Sequence, residues 1–136
     1  MIRLKARGFT LIELIIVIAI IGILFSVVSV LYSDAKSKSR DAKREQDIKT
    51  LTNALSLYAG TSQRYPIYSG YITGTDSLSV DLRNSGAINA LPVDPTNAGN
   101  YRYSYASTDG QDYTLTYYLE TSSIPGKAAG IHTAKP

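Results

Sequence analysis

The residues of this sequence that could do chemistry are few and scattered. His132 is the only histidine and cysteine is absent, so neither a histidine-based triad nor a cluster of thiolate and imidazole metal ligands can be assembled. Ser122, Ser123 and the other serines have no base near them in sequence and read as loop and turn residues. Asp94, Asn97, Asp109 and Asp112 offer oxygens to a hard cation, but their spacing reproduces no EF-hand or other recognisable calcium loop, and capping and turn work is the simpler reading. These residues therefore argue against an enzyme and assign no catalytic residue, metal or cofactor. The one ionisable group in an unusual place is Glu13. It lies in an apolar run from Phe9 to Leu31 whose other polar members are Thr10, Ser26 and Ser29. A charged carboxylate in lipid costs about 3 kcal/mol, so one retained there needs a partner.

The element that must position Glu13 is the apolar run itself. Arg3, Lys5 and Arg7 precede Gly8, and the run starts at Phe9. At about 1.5 Å per residue, Phe9 to Leu31 makes a helix roughly 34 Å long, enough for a hydrocarbon core roughly 30 Å thick. A secretory signal has a shorter apolar stretch, about 7 to 15 residues, ending in a small-residue cleavage site. Here the run leads instead into Tyr32 and a charged segment. A plain signal anchor fits the length but gives no reason for Gly8, Phe9 and Glu13 in that register.

Basic residues, then Gly8-Phe9-Thr10-Leu11-Ile12-Glu13 and a long apolar helix, resemble the leader of a type IV prepilin. The resemblance implies that a membrane prepilin peptidase cuts after Gly8 and methylates the new amine of Phe9. It also implies that mature subunits pack by their apolar helices into a filament, with other pilins or pseudopilins as partners and an assembly ATPase and platform protein acting indirectly. Residues 1–8 are then a leader peptide and 9–31 a transmembrane helix, with Glu13 at the family's acidic position. Physics agrees with the carry-over. Cleavage at Gly8 creates a cationic amine beside the orphan N–H groups of a helix start, where the dipole also favours a carboxylate. The amine of a cleaved neighbour is thus a partner for Glu13.

A chain of 136 residues, 44% of them hydrophobic, has room for one membrane segment and one small head. A net charge of +3 would suit nucleic acid, but the leader supplies three of the cations and the remainder is near neutral. From Ser33 to Gly60 there is no proline, and Ala35, Ala42, Ile48, Leu51, Leu55 and Tyr58 recur at helical spacings. This predicts an amphipathic extension of the helix over 32–60, with Gly60 as its left-handed terminating residue. Six Lys or Arg against four Asp or Glu between Asp34 and Lys49 read as a solvated face, or alternatively as bridges to neighbouring subunits.

The globular head is expected over 61–120. Thr61 to Gly86 reads as a loop in which Asp76 caps a short helix running through Arg83, with Leu78 and Leu82 inward and Gly86 ending it. Leu91-Pro-Val-Asp-Pro95 reads as an extended connector. Tyr101, Tyr103 and Tyr105, and then Tyr113, Leu115, Tyr117 and Leu119, alternate with smaller or polar residues, predicting two half-buried strands. Asp109-Gly110 between them supports an antiparallel hairpin, with the Ile48, Leu51, Leu55, Tyr58 stripe as its packing partner. The expected fold is α+β: a long N-terminal transmembrane and amphipathic helix packed on a small antiparallel sheet. Tyr65-Pro66, the 91–95 connector and the tyrosine-rich hairpin are similar to heads of type II secretion pseudopilins and their pilin relatives. That second resemblance implies calcium in the head, a property of the major pseudopilin. Residues 121–136 show no pattern and are expected to form a flexible tail.

The expected function is a structural subunit of a type IV pilus or a type II secretion pseudopilus. It would be a single-pass inner-membrane protein before assembly and part of an extracytoplasmic filament afterwards. The alternatives are a monomeric membrane-anchored binding module and a DNA-uptake pilin whose Tyr101–Tyr105 strand stacks on single-stranded DNA, although tyrosine facing a core is the simpler reading of that strand.

Overall fold

The computed structural model describes residues 8–136, so the leader cations Arg3, Lys5 and Arg7 lie outside the described residues. The described residues form two compact units, which divide between Lys36 and Ser37. One 52-residue helix, α1 (Leu11–Ser62), contributes to both.

In the first unit every apolar side chain from Phe9 to Leu31 is exposed. Among the described residues nothing covers any side of this stretch, and a helix that is apolar all round belongs in lipid or among other helices. Among the described residues it is the only helix long and apolar enough to cross a membrane. Its two serines do not interrupt it. The Ser26 hydroxyl donates to the Ile23 carbonyl at 2.8 Å and the Ser29 hydroxyl to the Phe25 carbonyl at 2.9 Å, so both are satisfied within the helix.

In the second unit α1 packs on an antiparallel sheet of four strands in the order β1 (Tyr68–Tyr71), β2 (Ser104–Ser107), β3 (Thr114–Leu119) and β4 (Gly130–Ala134). The predicted hairpin is present as β2 and β3, with Tyr105 opposite Leu115, and Gly110 takes φ +75° in their connection. The core joins Ile48, Leu51 and Leu55 of α1 to Tyr103, Tyr105, Tyr113, Leu115, Tyr117 and Leu119, as the alternation predicts. Two of the buried phenols are anchored: Tyr103 donates to the Asp47 carboxylate at 3.0 Å and Tyr105 to the Pro66 carbonyl at 2.8 Å. Helix α2 (Ser77–Asn84) starts at an Asp76 cap that accepts from the Ser79 amide. It closes with Gly86 at φ +72°, where the Gly86 and Ala87 amides donate to the Arg83 and Leu82 carbonyls, the paired bonds of a Schellman ending.

Four expectations are corrected. Helix α1 runs through Gly60 to Ser62, and the left-handed residue that follows is Gln63, at φ 56°. The stretch 61–86, read as loop around one short helix, also contains edge strand β1. The supposed tail 121–136 supplies β4, which pairs along β3 from Leu115–Ala134 to Leu119–Gly130. The fourth correction concerns the charges of α1. Ala35 and Ala42 are exposed, whereas Asp41, Arg44 and Asp47 are buried in line with Ile48, Leu51 and Leu55.

Arg44 explains that inversion. Its guanidinium is fully buried and all five of its N–H donors are used. Nε and Nη2 reach the two Asp94 oxygens at 2.7 and 3.1 Å, and Nη1 reaches Asp41 at 2.9 Å and Glu120 at 2.6 Å. Nη2 also donates to the Thr96 hydroxyl at 3.1 Å, and the guanidinium lies 4.8 Å from the centre of the Tyr101 ring. Asp41 in turn accepts the Glu120 and Thr121 amides, and Arg40 grips Glu120 through Nε and Nη2 at 2.6 and 2.5 Å. Hydrogen bonding from Arg40, with Arg44 adding to it, holds the Glu120 carboxyl down at about 2. A guanidinium does not shed its proton in a protein, so burying it demands this degree of pairing. The network ties the 91–95 connector and the end of β3 to the helix.

Candidate functional site

Gly8 and Phe9 precede α1 with open surroundings. Phe9 is 91% exposed, and among the described residues no atom beyond its chain neighbours lies within 4 Å of where a Gly8 side chain would begin. The helix then starts by a reciprocal device. The Thr10 carbonyl accepts the Leu14 amide at 3.3 Å, which makes Thr10 the capping residue. Its hydroxyl accepts the Glu13 amide at 3.3 Å, while the Glu13 carboxylate accepts the Thr10 amide at 2.8 Å and the Thr10 hydroxyl at 2.7 Å. This is a Thr-x-x-Glu capping box. Glu13 thus has partners in its own helix start before any neighbour is considered. The signal was present in the sequence as Thr10 three residues before Glu13, and it escapes a reading that seeks the partner only across a filament.

Of the residues considered for calcium, Asp94 and Asn97 share one turn, and Asp109 and Asp112 share the β2–β3 connection. Both Asp94 oxygens are taken by Arg44, and Oδ1 also accepts the Thr96 and Asn97 amides in a turn where Asn97 has φ 47°. Asp109 accepts the Gln111 amide at 3.0 Å in the β2–β3 connection, where Asp112 also lies. Among the described residues no three His, Asp or Glu side chains form a group that could hold a metal ion. His132 sits on β4 with its ring 5.6 Å from that of Tyr117, and Ser122 Oγ accepts the Ala129 amide at 3.1 Å, so both are occupied in packing and turn work. Tyr103 and Tyr105 are buried under the sheet rather than offered to a nucleic acid.

A long helix that is uncovered and apolar at its start, the same helix packed on a small antiparallel sheet further on, and a Gly-Phe-Thr-x-x-Glu helix start together define a type IV pilin-like protein. Residues 3–29 match the family model of the prokaryotic N-terminal methylation motif. The chain is 36% identical over 100 residues to the type II secretion system core protein G of Escherichia coli (strain K12), covering 67% of each. It is 34% identical over 115 residues to the protein of the same name from Klebsiella michiganensis, covering 80% of each. A shorter match, 35% over 68 residues and 31% of the relative's length, is to the type IV major pilin protein PilA of Myxococcus xanthus. No solved structure matches. The chain belongs to the type II secretion system core protein G family, the pseudopilins.

Proposed function

We propose that this chain is a structural subunit of a type II secretion pseudopilus, matured by cleavage after Gly8 and methylation of Phe9, and assembled through α1. The observation that carries this reading is the pairing of a helix apolar on every side with a carboxylate fixed at its start. Burying one Leu, Ile or Phe side chain is worth about 1.5 to 3 kcal/mol, so the seventeen uncovered large apolar residues from Phe9 to Leu31 make both the membrane and a bundle of identical helices favourable surroundings. The anchor holds the subunit in the inner membrane until neighbours replace lipid. Prepilin peptidase, other pseudopilins and, indirectly, an assembly ATPase and platform protein are the partners this implies. Residues 1–8 are the leader and 9–31 the span.

The capping box sharpens the role of Glu13. Thr10 supplies hydrogen bonds in the isolated subunit but no charge, whereas the Phe9 amine of a cleaved neighbour supplies one. Neutralisation then rewards the correct axial register. Glutamine at the same helical position keeps a capping box, so Glu13→Gln removes the charge and spares the helix start. The expected outcome is normal insertion and cleavage with a strongly reduced yield of sheared filaments for both Glu13→Gln and Glu13→Ala. Gly8→Val should block maturation itself, and mass spectrometry of the wild-type filament protein should begin at methylated Phe9. Wild-type filament yield from Glu13→Gln, with cleavage intact, would overturn the charge-pairing reading.

A further inference from the structure

The segment that joins β3 to β4 is closed by a single ammonium. Lys127 Nζ lies 2.7 and 2.8 Å from the two Glu45 oxygens and 2.6 Å from the Tyr117 hydroxyl, which is itself 3.2 Å from Glu45 Oε2. Three donors meet two partners on different elements, α1 and β3, and the ammonium also sits 5.3 Å from the centre of the Tyr117 ring. The rest of the loop is built to present it. Gly126 turns at φ +76°, the Lys127 amide donates to the Ile124 carbonyl, and the Ala129 amide is held by Ser122. His132 then covers Tyr117 from β4, with its Nε2 2.7 Å from the Ala128 carbonyl.

The resemblance to pseudopilin heads implies calcium, and the residues present do not fit it. A calcium ion takes six to eight oxygens, with carboxylates prominent among them. Residues 121–136 contain no Asp or Glu. The carboxylates bordering the segment are already committed to fixed cations: Glu45 to Lys127, Glu120 to Arg40 and Arg44, and Asp41 and Asp94 to Arg44. A divalent ion placed among them would have to displace an ammonium or a guanidinium. Asp109 and Asp112 lie on one exposed connection, and Asp109 is already bonded to Gln111.

We propose that the Lys127 ammonium is the cation that closes this head, strapping the β3–β4 segment to α1 through Glu45 and Tyr117, and that the head holds its fold without a divalent ion. The proposal concerns the head alone and stands whether or not the chain builds a secretion filament. The test uses the full chain in detergent micelles, with thermal unfolding followed by near-ultraviolet circular dichroism of its tyrosines. Wild type should melt at the same temperature in excess EDTA and in millimolar calcium chloride. Lys127→Met should lower Tm by roughly 4 to 8 °C in both media, and amide exchange should rise at residues 121–129. Glu45→Gln should cost a similar amount, and the double variant clearly less than the sum, because the two residues share one interaction. A wild-type Tm that falls in EDTA and is restored by calcium would overturn the proposal. So would strictly additive losses from Lys127→Met and Glu45→Gln.

Discussion

Replacing Arg44 with methionine, which keeps an unbranched apolar stem and removes the charged head, tests the buried network directly. The change strands Asp41 and Asp94, whose side chains are fully buried, and takes one of the two cations from Glu120. Removing one partner from a buried pair costs about 3 to 5 kcal/mol. Two features keep the loss toward the lower end: Asp41 retains the Glu120 and Thr121 amides, and Asp94 retains those of Thr96 and Asn97. For a unit of about this size each kcal/mol moves Tm by about 4 to 8 °C, so Arg44→Met should lower Tm by at least roughly 12 °C. That is a large share of a typical domain stability of about 5 to 15 kcal/mol. The assay is thermal unfolding of the full chain in micelles by near-ultraviolet circular dichroism, with limited proteolysis of the 91–95 connector as a second readout. Asp94→Leu combined with Arg44→Met should recover part of the loss, since it removes one stranded charge and returns apolar packing. A single variant melting within about 2 °C of wild type would refute the reasoning, because no buried carboxylate could then depend on Arg44.

Two further outcomes follow from the same geometry. Gly60→Ala should stabilise by about 0.5 to 1 kcal/mol, because Gly60 lies inside α1 with nothing near a new methyl group; a glycine holding a left-handed helix end would instead resist the change, and Tm decides between them. The Glu120 carboxyl is depressed to about 2 from its ordinary 4.5, so its contribution is fully present above about pH 4.5 and is lost as pH falls through about 2. Glu120→Gln should flatten the fall of Tm over that acid range, and an unchanged acid limb would count against the Arg40–Glu120 pairing as its source.

The helix, the α2 cap and the hairpin were legible because each follows a local rule: an unbroken apolar run, an Asp followed by helical spacing, and alternation across an Asp-Gly turn. Strand β4 was hidden because its pattern is inverted. Gly130, His132 and Ala134 face inward, while Ile131 is exposed, so no alternation of apolar with polar marks the strand. Strand β1, Tyr68-Ser-Gly-Tyr71, is short and carries a tyrosine on each face. The buried charges of α1 fell to a different error. Asp41, Arg44, Ile48, Leu51 and Leu55 share one helical register, but charge ordinarily marks the solvent side of a helix, and apolar spacing alone points to Ala35 and Ala42 for the inner face. The partner that makes burial affordable, Asp94, lies 50 residues away, beyond the reach of any local rule. At the helix start the reverse holds, since the Thr10 partner of Glu13 lies three residues away, within reach of a local capping rule.

The Arg44 network also determines which parts of the head stand or fall together. At one guanidinium meet the helix, through Asp41; the connector, through Asp94 and Thr96; and the end of β3, through Glu120. Charge-assisted hydrogen bonds are directional, so they fix the placement of the groups they join as well as holding them together. Opening any one of the three stretches leaves buried charge unmatched on the others. They are therefore expected to come apart together, as one cooperative unit, rather than one at a time.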